Sequence, residues 1–110
     1  MITFELFKKL ALSFEGANEH TNFEKPSFRV GKKIFATYDV KYHQACLKLN
    51  EIDQSVFSSF DSAIIYPIPN KWGLQGWTTI ELKSAPEEML KDALQTAWQT
   101  MMDKKKTSKR

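Results

Sequence analysis

The feature that most constrains this fold is a pair of short alternating segments joined by a two-residue turn. Phe28 and Val30 flank Arg29 and share one side of an extended strand, because side chains alternate along it. Gly31 and Lys32 follow, and Gly at the first central position tolerates the positive φ of a type II′ hairpin turn. The next six residues alternate again, with Ile34, Ala36 and Tyr38 on one side and Lys33, Phe35 and Thr37 on the other. The pattern predicts a β-hairpin.

Helical periodicity marks three further regions. Apolar residues recur at spacings of three and four over residues 2–14, over about ten residues after Asn50, and over residues 89–102, which follow a capping box of Ser84 and Glu87. Alternation predicts additional strands at 45–49, 64–66 and 77–82, and residues 20–24 are a candidate first strand. The order α-β-β-β-α-β-β-α predicts an α+β fold of two layers, an antiparallel sheet with the helices on one face.

Composition limits the class of protein. With 110 residues, 42% of them hydrophobic, the chain is large enough for one domain with one core. The lone Cys46 excludes an intramolecular disulfide and favours a reducing compartment. No apolar run approaches the roughly 20 residues that span a bilayer. We therefore expect a cytoplasmic protein that does not enter a membrane.

The positive charge is concentrated at the C-terminus. The net charge is +3, from 16 basic and 13 acidic residues. Five of those basic residues lie in 104–110, so the remainder has 11 basic against 13 acidic residues and a net charge of −2. We predict a single domain at 1–103 followed by a disordered basic tail at 104–110. The pI near 9.0 is therefore a weak argument for nucleic-acid binding by the folded part.

One predicted sheet face mixes cationic and aromatic side chains. If the apolar set faces the helices, the side chains that face away are Arg29, Lys33, Phe35, Lys48 and Trp77. Such a face can bind phosphates and stack bases, or contact a protein partner. The alternative is that Phe35 and Trp77 are covered, either by the loop at 66–75 or by a second copy of the chain.

The segment Trp72-Gly-Leu-Gln-Gly-Trp77 is a second candidate site. Its two glycines permit close backbone approach and offer N–H groups to an anion or a peptide carbonyl. Alternatively, the segment is a tight hairpin in which Trp72 closes the edge of the core.

The sequence gives little support for a metal site, a cofactor site or a catalytic nucleophile. His43 and Cys46 have a spacing that suits two metal ligands, but a zinc site needs three or four. Asp39 and His43 with a serine have no fixed geometry, and the four glycines form no phosphate-binding or dinucleotide motif. We expect no metal, no cofactor and no enzymatic activity.

Four segments resemble a known family when taken in order along the chain. They are Pro26-Ser-Phe-Arg-Val30, Lys33-Ile-Phe-Ala36, Leu47-Lys-Leu49 and Trp72-Gly-Leu-Gln-Gly-Trp77. Over residues 2–103 the sequence resembles the MmcQ/YjbR-like family of small bacterial proteins. The resemblance implies a compact α+β domain similar to secretion-chaperone-like proteins. The family is described as DNA-binding on grounds of its fold.

Two functions follow as hypotheses. The first is DNA binding, with phosphate contacts from basic residues and stacking by Trp72 and Trp77. The second is a protein-interaction module that uses the sheet face or an exposed edge, as a monomer or a weak homodimer. A small-molecule pocket beside the two tryptophans is a third, weaker alternative. The residues expected at the interface in the first two cases are Arg29, Lys32, Lys33, Phe35, Lys48, Lys71, Trp72, Gln75 and Trp77.

Overall fold

The computed structural model of this chain describes residues 2–20 and 25–107, with side chains described as far as Met102. The strands are β1 (Ala17–His20), β2 (Ser27–Val30), β3 (Lys33–Asp39), β4 (Gln44–Lys48), β5 (Ile65–Pro67) and β6 (Trp77–Glu81). The helices are α1 (Phe4–Leu12), α2 (Glu51–Ser58), α3 (Lys71–Leu74) and α4 (Glu87–Thr107). Within the described ranges, none of these helices is long and apolar enough to cross a membrane.

The strands form one antiparallel sheet in the order β1-β2-β3-β4-β6-β5. Helices α1, α2 and α4 pack on one face of it, which confirms the α+β prediction. The observed order adds strand β1 and the short helix α3 to the predicted one. Residues 21–24 of the candidate first strand and 108–110 of the predicted tail lie outside the described residues, and α4 is described to Thr107.

The face of the sheet beneath the helices is apolar and solvent-excluded. Cross-strand pairs such as Phe28 with Ala36 and Ala45 with Ile80 place buried side chains opposite one another. The buried side chains on this face are Phe28, Val30, Ala36, Tyr38, Ala45, Leu47, Thr78 and Ile80. Burial of this apolar surface is the main contribution to stability.

A β-bulge in β3 changes which side chain enters the core. Phe28 pairs with Ala36, but the next residue, Arg29, pairs with Ile34, so Phe35 has no partner in the register. In a bulge the extra residue locally breaks the alternation of the strand. Phe35 is fully buried and meets Phe14 edge-on at 6.4 Å between ring centroids. The prediction that Phe35 faces away and Ile34 faces the helices is therefore wrong, because alternation was assumed to be uninterrupted.

Aromatic contacts hold α1 against the sheet and the segment after α1 against α4. Phe7 packs edge-on against Phe28 at 5.4 Å, and Phe14 stacks on Trp98 at 5.5 Å. The indole N–H of Trp98 donates a 2.8 Å hydrogen bond to the carbonyl of Glu15. These contacts join the N-terminal helix to the C-terminal one across the sequence.

The bulge predicts unequal costs for two neighbouring substitutions. Phe35→Ala should lower the free energy of unfolding by about 3–5 kcal/mol, because it leaves a cavity beneath Phe14. Ile34→Ala should cost about 1 kcal/mol or less, because Ile34 pairs with Arg29 on the other face and is only half-buried. Urea unfolding measures both costs. Equal costs, or a larger cost at Ile34, would contradict the observed register.

Candidate functional site

The face of the sheet opposite the helices, called here the open face, carries the side chains that the pairing register leaves outside the core. Lys48 pairs with Trp77 across β4 and β6, and Cys46 pairs with Thr79 beside them. Tyr66 of β5 pairs with Thr79 and so lies in line with Cys46 and Thr79 across three strands. The sequence predicted this assignment for Arg29, Lys48 and Trp77, and the register confirms it.

One end of the sheet gathers most of the predicted site residues. The β2–β3 turn, the last residue of β4, the first residue of β6 and α3 all lie at this end, because the strands are antiparallel. We call it the Trp77 end. The predicted site residues found there are Arg29, Lys32, Lys33, Lys48, Lys71, Trp72, Gln75 and Trp77.

The cationic and aromatic groups of the Trp77 end lie close together. The Lys48 ammonium is 5.6 Å from the centroid of the Trp77 ring, a cation–π distance. Trp72 is 51% exposed, whereas Trp77 is half-buried. Both tryptophans line a groove of about 370 Å³, and we call it the sheet-face groove. Its lining residues are Lys25, Thr37, Cys46, Ile68, Trp72 and Trp77.

Lys33 does not share a face with Arg29, although both lie near the β2–β3 turn. It pairs with Val30, which places it on the side of the hairpin opposite Arg29, and it is exposed at the turn. Lys32, Lys71 and Gln75 are also exposed. The predicted site residues therefore do not form one row on a single sheet face. Their cationic side chains are distributed around the Trp77 end of the sheet.

The two glycines of the Trp72–Trp77 segment serve backbone packing. The N–H of Gly73 donates to the carbonyl of Asn70, and that of Gly76 donates to the carbonyl of Gly73. A Cβ at either glycine would lie 1.9 Å from a backbone oxygen, of Ile68 and Leu49 respectively. The predicted free N–H groups for an anion are thus occupied. The segment contains a helical turn, α3, where a tight hairpin was the alternative prediction.

The opposite end of the open face contains the carboxylates. Oε2 of Glu81 accepts hydrogen bonds from the Tyr66 hydroxyl and from the Gln44 amide, the latter at 2.8 Å. Asp39 lies 3.9 Å from the Lys25 ammonium. The hydrogen bond to Glu81, together with burial and the Glu81 charge, raises the pKa of Tyr66 to about 12, and the hydrogen bond is the largest cause.

The His43 and Cys46 side chains diverge, so their spacing in the sequence brings no metal ligands together. His43 bonds through Nδ1 to the Tyr38 hydroxyl and through Nε2 to the Ile2 carbonyl, each at 2.7 Å. Because a carbonyl only accepts, Nε2 carries a proton, and in the neutral imidazole Nδ1 then accepts from the Tyr38 hydroxyl. Burial raises the pKa of the Cys46 thiol, which lies on the open face. Among the described residues, no three metal-ligating side chains cluster.

The third alternative from the sequence was a pocket beside the two tryptophans, but the other residues that line the groove were not predicted. Lys25, Thr37 and Ile68 enter its lining from three separate segments, and only the register of β3 and the position of the β5–α3 connection bring them together. Thr37 was predicted to face away from the core, which was the one indication in the sequence that it could line the groove.

Arg29 adds a guanidinium whose Nε is enclosed and has no hydrogen-bond partner among the described residues.

Comparisons with known proteins agree with the fold. The family model described as YjbR matches residues 12–100. The chain is similar to the crystal structure of Deinococcus radiodurans protein DR2400, whose domain is described as DUF419. That similarity has a TM-score of 0.74 at 21% identity, and it covers 89% of this chain and 77% of the other. No curated protein matches the sequence.

Because of the Tyr66–Glu81 hydrogen bond, we expect the Tyr66 hydroxyl to ionise at a higher pH than an ordinary tyrosine. Tyrosinate absorption should show one group that titrates near 12, and Glu81→Gln should move that pKa towards 10.0, because the carboxylate acceptor is lost. Because the pKa of Tyr66 is higher in the folded state than in the unfolded chain, the protonated tyrosine stabilises the fold below about pH 10. This contribution to the free energy of unfolding is lost as the pH rises from about 10 to 12.

Tyr66→Phe is the matched control and should remove the late titration while circular dichroism reports the fold. An unchanged titration in Glu81→Gln would contradict the role of the carboxylate.

Proposed function

This chain belongs to the YjbR family, and on that premise we propose that it is a non-enzymatic cytoplasmic binding protein whose open sheet face contacts DNA. The observation that carries the proposal is the Lys48 ammonium over the Trp77 ring, beside a groove that the half-exposed Trp72 also lines. Cations next to one exposed and one half-buried indole suit a ligand that offers both phosphates and bases.

The spacing of the cations supports a phosphate-bearing polymer. Arg29 on β2 and Lys48 on β4 are two strands apart, which places their backbones about 10 Å from each other. Lys32 and Lys33 extend the positive rim at the turn, and Lys71 extends it at α3. A polymer that crosses the Trp77 end would meet several of these charges in succession.

The negative charge of residues 1–103 does not argue against this surface. On the open face, Asp39 lies near Lys25 and Glu81 is bonded to Tyr66 and Gln44, all at the end away from Trp77. Glu88 and Asp92 belong to α4, in the helical layer on the other side of the sheet. A local positive surface is what attracts nucleic acid, and net charge is a poor guide to it.

The alternative, a module that pairs through a sheet edge, has weaker support. Within the described residues β1 has four residues and β5 has three, so each outer strand offers few backbone groups there. β5 ends at Pro67, which has no N–H to donate to an added strand. Recognition by an added strand needs a longer ladder of main-chain hydrogen bonds.

Fluorescence anisotropy with labelled duplex DNA over a salt series tests the proposal on the full-length chain. Lys48→Ala and Arg29→Ala should each weaken binding and reduce the salt slope by about 1, because each removes one phosphate contact. Lys91→Ala on α4 is a matched control that removes an exposed lysine elsewhere, and it should leave the slope unchanged.

A full-length variant with Gln at the five basic positions of 104–110 separates the tail from the sheet. It should retain binding tighter than the roughly 10⁻⁴–10⁻⁶ M of nonspecific contacts. Loss of all binding in this variant, or equal effects of Lys48→Ala and Lys91→Ala, would eliminate the sheet face as the DNA surface.

A further inference from the structure

Helix α2 exposes an apolar stripe that no described part of the chain covers. Ile52, Val56 and Phe60 recur every four residues along α2 and the turn after it, so they lie on one side. Their exposed fractions are 75%, 62% and 60%, and no residue of α2 is fully buried. Three large apolar side chains in one exposed row differ from the scattered single ones that are normal on a protein surface.

The stripe is not what attaches α2 to the domain. Phe57 packs partly against the core on the inner side of the helix. The Gln54 amide donates hydrogen bonds to the Gly73 carbonyl at 2.9 Å and to the Thr78 hydroxyl at 3.1 Å. Asn50 caps the first turn by accepting from the N–H of Asp53 at 2.7 Å. These contacts hold the helix in place and leave its outer side available.

Val56 and Phe60 of the stripe line a groove between α2 and the first turns of α4, and Ile52 extends the exposed row beyond it. The groove has a volume of about 540 Å³, and Val56, Phe57, Phe60, Pro86 and Met89 supply its apolar lining. A second depression of about 230 Å³, lined in part by Asn50, Asp53 and Gln95, also lies between the two helices. Together these two depressions are called the α2–α4 groove.

The charged side chains that line the α2–α4 groove have one sign. Glu88 and Asp92 line the larger depression, and Asp53 lines the smaller one. None of the described residues that line either depression is a lysine or arginine. The sequence contains no basic residue between Lys48 and Lys71. An apolar floor with an acidic rim complements a ligand that is apolar on one side and positive along its flanks.

We propose that the α2–α4 groove binds a basic amphipathic helix of a partner protein. The stripe from Ile52 to Phe60 is about 12 Å long. It therefore matches apolar anchors at positions i, i+4 and i+7 of a partner helix, the usual pattern of helix-in-groove recognition. Lysine or arginine on the flanks of that helix would face Asp53, Glu88 and Asp92. The groove lies in the helical layer, so this interaction is independent of the open face.

The other occupants fit the charges less well. An anionic nucleic acid or membrane surface would be repelled by the acidic rim. Two copies that met groove to groove would bring Asp53, Glu88 and Asp92 of each close to their counterparts, because the same patch meets itself in a two-fold contact. A partner helix with positive flanks satisfies both the apolar stripe and the rim.

A labelled model helix tests the proposal with the full-length protein. The probe is a peptide of about four turns with Leu at the anchor positions and Lys elsewhere, and a second peptide has Glu in place of Lys. Anisotropy should show binding of the Lys peptide and at least a tenfold weaker affinity for the Glu peptide. Val56→Ser and Asp92→Lys should each weaken binding of the Lys peptide about tenfold.

Two matched variants control for unspecific effects. Leu74→Ser removes an apolar side chain that is 91% exposed outside the groove, and Glu15→Lys reverses an exposed charge elsewhere. Neither should change the affinity, and thermal unfolding should show that all four variants fold. The proposal is overturned by equal binding of the two peptides, or by equal effects of groove and control variants. A dimer that Val56→Ser converts to monomer also overturns it, because the occupant is then a second copy.

Discussion

Burial of one sheet face beneath α1 and α4 is the interaction on which the rest of this domain depends. It fixes the register of the strands, because a slip by one residue would exchange the buried and open faces of a strand. It also determines the composition of the open face, which receives the side chains that the core excludes. The separation of Lys48 and Trp77 from the apolar core is thus a consequence of packing on the other side.

The fold class and most of the faces could be predicted because alternation and helical periodicity are local properties of the sequence. The alternation of Ala45 to Leu49 and of Trp77 to Leu82 assigned those side chains to the correct faces. It failed at Phe35, where a bulge inserts one residue. A bulge depends on the fit between two strands, and the side-chain pattern of β3 alone gives no sign of it.

The candidate site could be predicted in its residues but not in its shape. Basic and aromatic side chains at Arg29, Lys48 and Trp77 were visible in the alternation, whereas the groove needs Lys25 and Ile68, which come from separate connections. For the α2 stripe, the sequence predicted the helix correctly but not the exposure of its apolar side chains. Its periodicity is typical of a buried helix face, and only the structure reveals that Ile52, Val56 and Phe60 are exposed.

In the Trp72–Trp77 segment, the two glycines determine the backbone conformation, whereas the residues between and beside them determine which side chains are exposed. Gly73 and Gly76 are fixed by backbone atoms that occupy the space of a side chain, so they do not tolerate replacement. Trp72, Leu74 and Gln75 between and beside them are exposed and make no side-chain hydrogen bonds in the described structure. Replacing these three side chains would therefore leave the backbone of the segment unchanged, so the chemistry that this surface presents can vary while the fold stays the same.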